Sequence, residues 1–371
     1  GENELPELYF RAPICRQGRQ TTFTIKMTEI RLEISQLGEF GLIDRISKGF
    51  ATTHKTSLKG IGDDAAVIDN GDGNCTLVTT DMLVEGVHFD LAYYPLQHLG
   101  YKAVAVNVSD IAAMNGTARQ ITVSIALSNR FSVEAVDALY NGIRAACENY
   151  KVDLVGGDTT SSVSGLIISV TAIGIARKEK IAYRTGAKVN DIICATGDLG
   201  AAFMGLQILE REKQVFIANP DMQPGLEKYE YLVGRQLRPE ARTDIVFDLE
   251  EAGVKPTSMI DISDGLASEL LHLSKQSSLG VRIYEENIPI DNTAFDTALE
   301  FKLDPITCAL NGGEDYELLF TVAQTDREKI KKHPDIHMIG YVHDRRDQNV
   351  MISKAGTTVP LRAQGWDHFN S

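Results

Sequence analysis

The spacing of apolar and polar residues predicts strands and helices that alternate along the chain. Apolar residues recur at every second position in 120–127 and 166–175, a period typical of strands buried on one face. Residues 96–114 show a helical pattern rich in small side chains, and Ser132 is placed to cap a helix that runs to about Tyr150. Further helices are predicted at 29–46, with an interruption around Gly38 and Gly41, and at 199–211, 226–237 and 243–252. Further strands are predicted at 152–155, 191–196 and 259–262. The pattern predicts a mixed α/β fold.

The length of 371 residues favours two domains, because one core seldom grows to this size. We expect an N-terminal domain over 28–175 and a C-terminal domain over 176–371. Residues 1–27 lack periodicity and the apolar core of a signal peptide, so we predict a disordered extension. Five scattered cysteines indicate reduced thiols in a cytoplasmic enzyme. The net charge of −14 and the absence of a long apolar run disfavour partners such as nucleic acid or a membrane.

The densest group of candidate functional residues lies in a predicted hairpin between Gly60 and Asp81. Asp63 and Asp64 follow a glycine turn, and Thr79, Thr80 and Asp81 end the far strand. Neighbouring carboxylates raise each other's pKa unless solvent, a basic side chain or a hard cation accompanies them. Few basic residues are close in sequence. We therefore favour a site for several Mg²⁺ ions, of the kind that holds a polyphosphate.

Similar acidic positions recur after other predicted elements. Asp110 lies in an apolar helix and needs a partner, either a metal or a structural hydrogen bond. Asp158 follows Gly157 at a strand end, where backbone amides can approach phosphate, although such turns also merely reverse chains. Asp261 and Asp264 flank a strand-to-helix turn, where capping is favoured from the motif alone.

Taken together, these motifs resemble those of the thiamine-monophosphate kinase family. The matching segments are LGEFGLI, GIGDDAAVI, TTDMLVEGVHF, YKAVAVNVSDIAAM, GGDTTSS, YRTGAKVND, IDISDGL and GGEDYELLF, and they cover the chain from Leu37 onward. The resemblance implies two α/β domains, of which the C-terminal one is an α/β sandwich, and a homodimer in which the N-terminal sheets pair as a barrel. It also implies ATP as co-substrate and several Mg²⁺ ions as cofactors.

The resemblance further implies a role for individual residues. The implied magnesium ligands are Asp64, Thr80, Asp81, Asp110, Asp158, Asp261 and Asp264, with Asp63 and Thr79 beside them; the implied catalytic residues are Asp81, Asp110 and Asp158. The implied nucleotide contacts are Gly157, Asp158, Arg184, Ser263 and Tyr140. The implied contacts to thiamine monophosphate are His88, Glu314 and Trp366. From the sequence alone, Arg184 is more often solvated, and His88 and Trp366 are more often structural.

The implied reaction is direct in-line transfer of the γ-phosphoryl group of ATP to thiamine monophosphate. No GxxxxGK[ST] segment is present, which excludes a P-loop kinase. Three alternatives remain: an enzyme of this fold with another small acceptor, a binding regulator without turnover, and structural calcium-type sites. The resemblance implies a fold shared with aminoimidazole ribonucleotide synthetase, selenophosphate synthetase and a hydrogenase maturation protein. Selenophosphate synthetase typically has a reactive Cys or selenocysteine near its N-terminal glycine-rich segment and is disfavoured, because Cys15 lies far from the GIGDD motif. The hydrogenase maturation protein typically ends with a cysteine and is disfavoured, because this chain ends HFNS.

Overall fold

Two β-sheets that follow one another along the chain organise the structure, a computed structural model that describes residues 34–363. The helices are α1 (Ile34–Ser47), α2 (Leu96–Ala113), α3 (Val133–Tyr150), α4 (Ala201–Ala218), α5 (Glu230–Leu237), α6 (Thr243–Glu251), α7 (Leu266–Ser277), α8 (Asn292–Glu300), α9 (Pro305–Asn311) and α10 (Arg327–Ile330). The strands are β1 (Ser57–Lys59), β2 (Ala66–Asp69), β3 (Asn74–Val84), β4 (Thr117–Leu127), β5 (Asp153–Ser161), β6 (Ile167–Arg177), β7 (Ile192–Thr196), β8 (Ser258–Ile262), β9 (Gly280–Tyr284), β10 (Glu317–Val322), β11 (Ile336–His343), β12 (Val350–Ile352) and β13 (Thr358–Pro360).

The first sheet has the strand order β1-β2-β3-β6-β4-β5 and is antiparallel except for the parallel pair β4 and β5. Residues alternate across it as a period of two requires: Cys75, Leu77 and Leu83 of β3 are buried. α2 packs on β3 and β6, and α3 packs on α2. One face of this sheet is thus covered, while Met82 and Ile175 on the opposite face stay exposed.

Helix α2 is buried on nearly all sides because it packs between the two halves of the chain. Ala112 and Ala113 at its C-terminal end join a core cluster with Met259 and Phe320 of the second sheet. α2 also packs against α3. The two helices approach so closely that a Cβ on Gly142 of α3 would lie 1.8 Å from the carbonyl oxygen of Gln97 of α2. Polar side chains on α2 are therefore held against both sheets.

The second sheet has the order β13-β12-β9-β11-β7-β10-β8, and only β9 and β12 run parallel. Every residue of β7, β8 and β10 is buried, because helices cover both faces of this part of the sheet. One core cluster includes Leu266 and Leu270 of α7, and another includes Ile245 and Leu249 of α6. Strand β8 ends and β10 begins where the DISDGL and GGEDYEL segments meet, since Ile262 pairs with Glu317.

The structure confirms the mixed α/β fold and most predicted elements. Ser132 caps α3, since its hydroxyl accepts a hydrogen bond from the backbone N–H of Ala135 at 3.2 Å. Gly38 interrupts α1 with φ of 64°. The division into domains at residue 176 stays a prediction, and the proposed extension 1–27 lies outside the described residues. Among the helices of residues 34–363, none combines the length and apolar character needed to cross a bilayer.

The GGD segment differs from the predicted turn. Strand β5 continues through Gly156 and Gly157 to Ser161 and pairs in parallel with β4. A Cβ on Gly157 would lie 1.8 Å from the carbonyl oxygen of Val123, so the missing side chain allows the close pairing. These glycines therefore extend an edge strand where the sequence suggested a chain reversal.

Candidate active site

Polar side chains of α2 bring together strands from both sheets. Asn107 Oδ1 accepts a hydrogen bond from the backbone N–H of Asp81 at 3.0 Å, toward the end of β3. The Ser109 hydroxyl donates to Asp261 Oδ2 at 2.6 Å, toward the end of β8. Asp110 accepts from the Thr79 hydroxyl at 2.5 Å. One helix thus fixes two strands that lie far apart in sequence.

Three predicted carboxylates form a compact cluster at this junction. Asp64, Asp110 and Asp261 each offer an oxygen, and these oxygens lie within 4.8 Å of one another. Asp64 and Asp261 are buried, and Asp110 is half-buried. Asp81 lies close enough to this cluster for its charge to raise the pKa of both Asp110 and Asp261. The acids that the sequence placed in four separate motifs therefore share one site.

Burial and mutual repulsion make the ionised cluster unfavourable without a cation. Burial, followed by the charges of Asp261 and Asp63, raises the pKa of Asp64 to about 7 despite Arg184. Burial and neighbouring carboxylates raise the pKa values of Asp81 and Asp261 to about 6 each. The pKa of Asp110 is also well above its ordinary value, for the same two reasons.

Two basic residues contact the first acid pair, although few were expected from the local sequence. Arg184 donates from Nη2 and Nε to Asp64 Oδ1 at 2.6 and 3.1 Å, while its backbone N–H donates to Asp63 Oδ1 at 3.0 Å. Lys59 lies 3.3 Å from Asp63 Oδ2. Asp63 is therefore bound by positive groups and is a neighbour of the carboxylate cluster, while Asp64 faces into it.

The cluster has the chemistry of a site for a hard divalent cation. Asp64 Oδ2 is buried and accepts no hydrogen bond from the part of the chain that the structure describes. Such an oxygen costs free energy unless something positive binds it. Mg²⁺ prefers carboxylate oxygens, and the oxygens of Asp64, Asp110 and Asp261 converge here. The donor set therefore fits the implied magnesium.

The turn after β8 is held by a glutamate that the sequence analysis did not identify. Glu269 Oε1 accepts hydrogen bonds from the backbone N–H groups of Ser263 at 3.2 Å and Asp264 at 2.8 Å. The N-cap of α7 is Gly265, which has no side chain to cap the helix, so the favoured interpretation of Ser263 and Asp264 as its caps was wrong. The Asp264 charge instead raises the pKa of Asp81 and Asp261, which places it beside the cluster.

Glu314 joins this site from the turn before β10. Its backbone N–H donates to the Ser263 carbonyl at 2.6 Å, and its carboxylate forms an ion pair with Lys102 of α2. Glu314 has a backbone φ of 62°, a conformation that residues other than glycine seldom adopt. Its charge also raises the pKa of Asp81. The implied substrate contact therefore lies at the edge of the acid cluster.

Tyr140 and Gly157, two implied nucleotide contacts, line one open pocket of about 360 Å³ between α3 and β5. Val123 and Asp158 also line this pocket. Strand register aligns Asp81 with Val170, Val170 with Val123 and Val123 with Gly157, so the pocket lies three strands from Asp81. At about 4.8 Å a strand this is roughly 14 Å.

Other implied site residues are not brought into the cluster. The Thr80 side chain lies on the opposite face of β3 and donates to the Val170 carbonyl at 3.1 Å. Asp158 is exposed on edge strand β5 and accepts from the Thr159 backbone at 2.9 Å. His88 is half-buried in the loop after β3 and accepts from the Val84 backbone through Nδ1 at 3.0 Å. Trp366 lies outside the described residues.

Comparison with known proteins supports the assignment suggested by the motifs. Residues 62–176 match the family model "AIR synthase related protein, N-terminal domain". Thiamine-monophosphate kinase of Bacillus subtilis (strain 168) is 36% identical over 344 residues, which cover 90% of this chain and 100% of that protein. The chain belongs to the thiamine-monophosphate kinase family. The kinase of Aquifex aeolicus (strain VF5) is 34% identical and covers 91% of this chain and 100% of its own length.

Solved structures agree with membership of the thiamine-monophosphate kinase family. A structure described as AaThiL complexed with AMPPCP and TMP has a TM-score of 0.76 and 33% identity, covering 92% of this chain and 100% of that one. The hydrogenase maturation protein HypE in complex with ATP has a TM-score of 0.64 at 17% identity, covers 91% of this chain and 95% of its own, and shows the fold alone. The protein is therefore an enzyme of the phosphotransferase class.

Proposed function

We propose that the protein transfers the γ-phosphoryl group of ATP to thiamine monophosphate, giving ADP and thiamine diphosphate. The observation that carries the proposal is the convergence of Asp64, Asp110 and Asp261, with Asp81 beside them, in a chain of this family. Relatives are named for this substrate, and one solved relative carries AMPPCP and TMP. The acid cluster supplies the place where two phosphate groups could meet.

Asp64, Asp110 and Asp261 would hold Mg²⁺, with Asp81 and Asp264 as further ligands and Thr79 holding Asp110 in place. When bound, Mg²⁺ neutralises phosphate charge and polarises the transferring group. The buried Oδ2 of Asp64, which accepts no hydrogen bond within residues 34–363, supports this assignment. The places of Thr80 and Asp158 in the ligand set rest on the family resemblance.

The nucleotide and the acceptor would approach from different elements. Tyr140 and Gly157 line the pocket proposed for the nucleoside, while Arg184 lies beside Asp64 and could contact a phosphate oxygen. Ser263 is the nucleotide contact proposed on the resemblance. Glu314 and His88 are proposed to bind thiamine monophosphate, with Glu314 nearest the acids.

We propose that transfer is direct and in line. An oxygen of the acceptor phosphate forms the new bond to the γ-phosphorus, and the bond from that phosphorus to the β-γ bridging oxygen breaks. The acceptor needs no strong general base, because a phosphate monoester has a second pKa near ~6. The roles left to the side chains are binding and orientation. A phosphorylated side chain trapped during turnover would contradict this mechanism.

We also propose a homodimer in which the uncovered faces of two first sheets pair as a barrel. Ile68, Met82 and Ile175 are exposed on strands of this sheet. Exposed apolar side chains of this size on one sheet favour burial against a second copy. Light scattering of the wild type and of Met82→Glu tests the arrangement: a dimer that dissociates in the variant supports it, and a wild-type monomer refutes it.

The test of function is product formation from ATP, Mg²⁺ and thiamine monophosphate, with free thiamine as the alternative acceptor. We expect ADP and thiamine diphosphate in equal amounts from the monophosphate only. Binding of ATP without either product would favour a regulator. ADP formation that depends on another small acceptor would retain the phosphotransferase but exclude this substrate.

A further inference from the structure

The acid cluster is accompanied by a lysine to which neither the family resemblance nor the proposed chemistry assigns a role. Lys102 lies in the second turn of α2 and is completely buried. Its ammonium group forms an ion pair with the Glu314 carboxylate and lies 5.6 Å from the centre of the Tyr94 ring. A buried ammonium group is costly unless it is paired, so this lysine needs a specific reason to be there.

We propose that Lys102 is a positioning residue that fixes the substrate-binding orientation of Glu314. The ion pair uses Glu314 Oε2, while Oε1 lies 3.4 Å from the Tyr316 hydroxyl, at the long end of hydrogen bonding. The Glu314 side chain is 29% exposed, whereas that of Lys102 is not exposed at all. Lys102 therefore holds one carboxylate oxygen from inside the protein and leaves the other for a ligand.

The backbone around Glu314 explains why a second anchor is needed. Glu314 and Tyr316 both have positive φ, of 62° and 52°, and such conformations persist only where neighbouring contacts enforce them. The backbone N–H of Glu314 is held by the Ser263 carbonyl. Nothing in that contact sets the direction of the carboxylate, which also lies near the charge of Asp81. The Lys102 ammonium opposes repulsion between the two acids.

The proposal rests on the proposed function and extends it to substrate recognition. An exposed carboxylate oxygen can accept a hydrogen bond from an amino group or lie against a cationic ring, and thiamine monophosphate has both. Lys102 itself cannot reach the ligand from its buried position. Its removal should therefore weaken binding of the acceptor substrate while ATP binding stays nearly unchanged.

Steady-state kinetics of Lys102→Met, Glu314→Gln and the double variant test this inference. We expect the KM for thiamine monophosphate to rise about tenfold in Lys102→Met, the size typical of a lost charge-assisted hydrogen bond, with the KM for ATP within about twofold. Because Lys102 acts through Glu314, the double variant should bind thiamine monophosphate no worse than Glu314→Gln alone. Lys102→Arg should restore part of the loss.

A matched control separates positioning from general loss of stability. Arg242 is another buried cation, and its Nη1 lies 2.7 Å from the buried Glu317 carboxylate. Arg242→Met should lower the melting temperature and leave the KM for thiamine monophosphate unchanged. Where Lys102→Met proves too unstable for kinetics, calorimetric binding of thiamine monophosphate to Lys102→Gln replaces it, because glutamine removes the charge but keeps a polar side chain, and a wild-type Kd in that variant overturns the proposal.

The outcomes distinguish this inference from the proposed function. A wild type that forms no thiamine diphosphate refutes the proposed function. An active wild type with an unchanged KM for thiamine monophosphate in Lys102→Met refutes the role of Lys102 only. Equal increases in both KM values, or additive effects in the double variant, would also refute positioning through Glu314.

Discussion

In the metal-free protein, the free energy of unfolding of Asp64→Asn minus that of the wild type should increase as pH rises. The Asp64 side chain is fully buried, and its pKa is about 7 in the folded protein against 3.8 ordinarily. Because the folded state holds this proton more tightly, the wild type loses stability as pH rises between those two values. An asparagine side chain does not titrate, so the Asp64→Asn variant lacks this loss.

The expected size follows from the width of the pH window. Between pH 5.5 and 7 the excess of protons that the folded wild type holds at this position over the unfolded chain falls from about one to about one half. An average of about 0.8 proton over about 1.5 pH units, at about 1.4 kcal/mol per unit, gives a change of about 1.7 kcal/mol in the free energy of unfolding. Asp81 and Asp261, with pKa values raised to about 6, act in the same direction in both proteins.

Urea unfolding after EDTA treatment, followed by circular dichroism from pH 5.5 to 8, measures the gap between the two proteins. Asp69→Asn is the control, because its bond to Lys178 and its backbone contact lower the Asp69 pKa. Stability from such a group is complete above pH 3.8 and is lost only below it, so this gap should stay flat. A flat or shrinking gap for Asp64→Asn would refute the account of the cluster's electrostatics.

Three further predictions concern individual contacts. Arg184→Gln should raise the KM for ATP about tenfold. It should also move the acidic limb of the pH profile of kcat to higher pH, because Arg184 lowers the pKa of Asp64. An unshifted acidic limb would argue against electrostatic coupling between Arg184 and Asp64. Tyr140→Ala should raise the KM for ATP but not that for thiamine monophosphate, and equal changes would remove it from the nucleotide pocket. Glu269→Ala should raise the Mg²⁺ concentration needed for half-maximal activity about tenfold, because the backbone N–H of Asp264 loses its hydrogen-bond acceptor. Glu269→Gln keeps an acceptor oxygen and should have a smaller effect. Equal effects of the two substitutions would contradict this prediction.

The fold was largely predictable because its strongest signals are periodic. The alternation in β4 and β6 and the cap at Ser132 each depend on local sequence, and the structure confirms them. The extension of β5 through Gly157 was not predictable, because it depends on close approach to Val123 from a separate strand. Glycine signals a turn and a close strand contact equally well.

The acids of the site were recognisable, but their partners were not. Asp64 and Asp110 stand out as carboxylates in apolar or glycine-rich surroundings. Arg184 is 120 positions from Asp64, and only the folded chain shows that they pair. Lys102 and Ser109 carried a usable signal: they are about two helical turns apart in an apolar helix, so they lie on the same side. Their partners, Glu314 in the turn before β10 and Asp261 in β8, could not be read from that spacing.

The central claim is that the acid cluster carries phosphoryl transfer, and a single-turnover experiment with γ-labelled ATP tests it most directly. Wild type and Asp110→Asn are each mixed with limiting labelled ATP, Mg²⁺ and thiamine monophosphate, after ATP binding has been verified for both. The account predicts that label moves into thiamine diphosphate in the wild type, with ADP formed in equal amount, and that Asp110→Asn slows this step at least about a hundredfold. Transfer at the wild-type rate in the variant, or label on the protein, would contradict it.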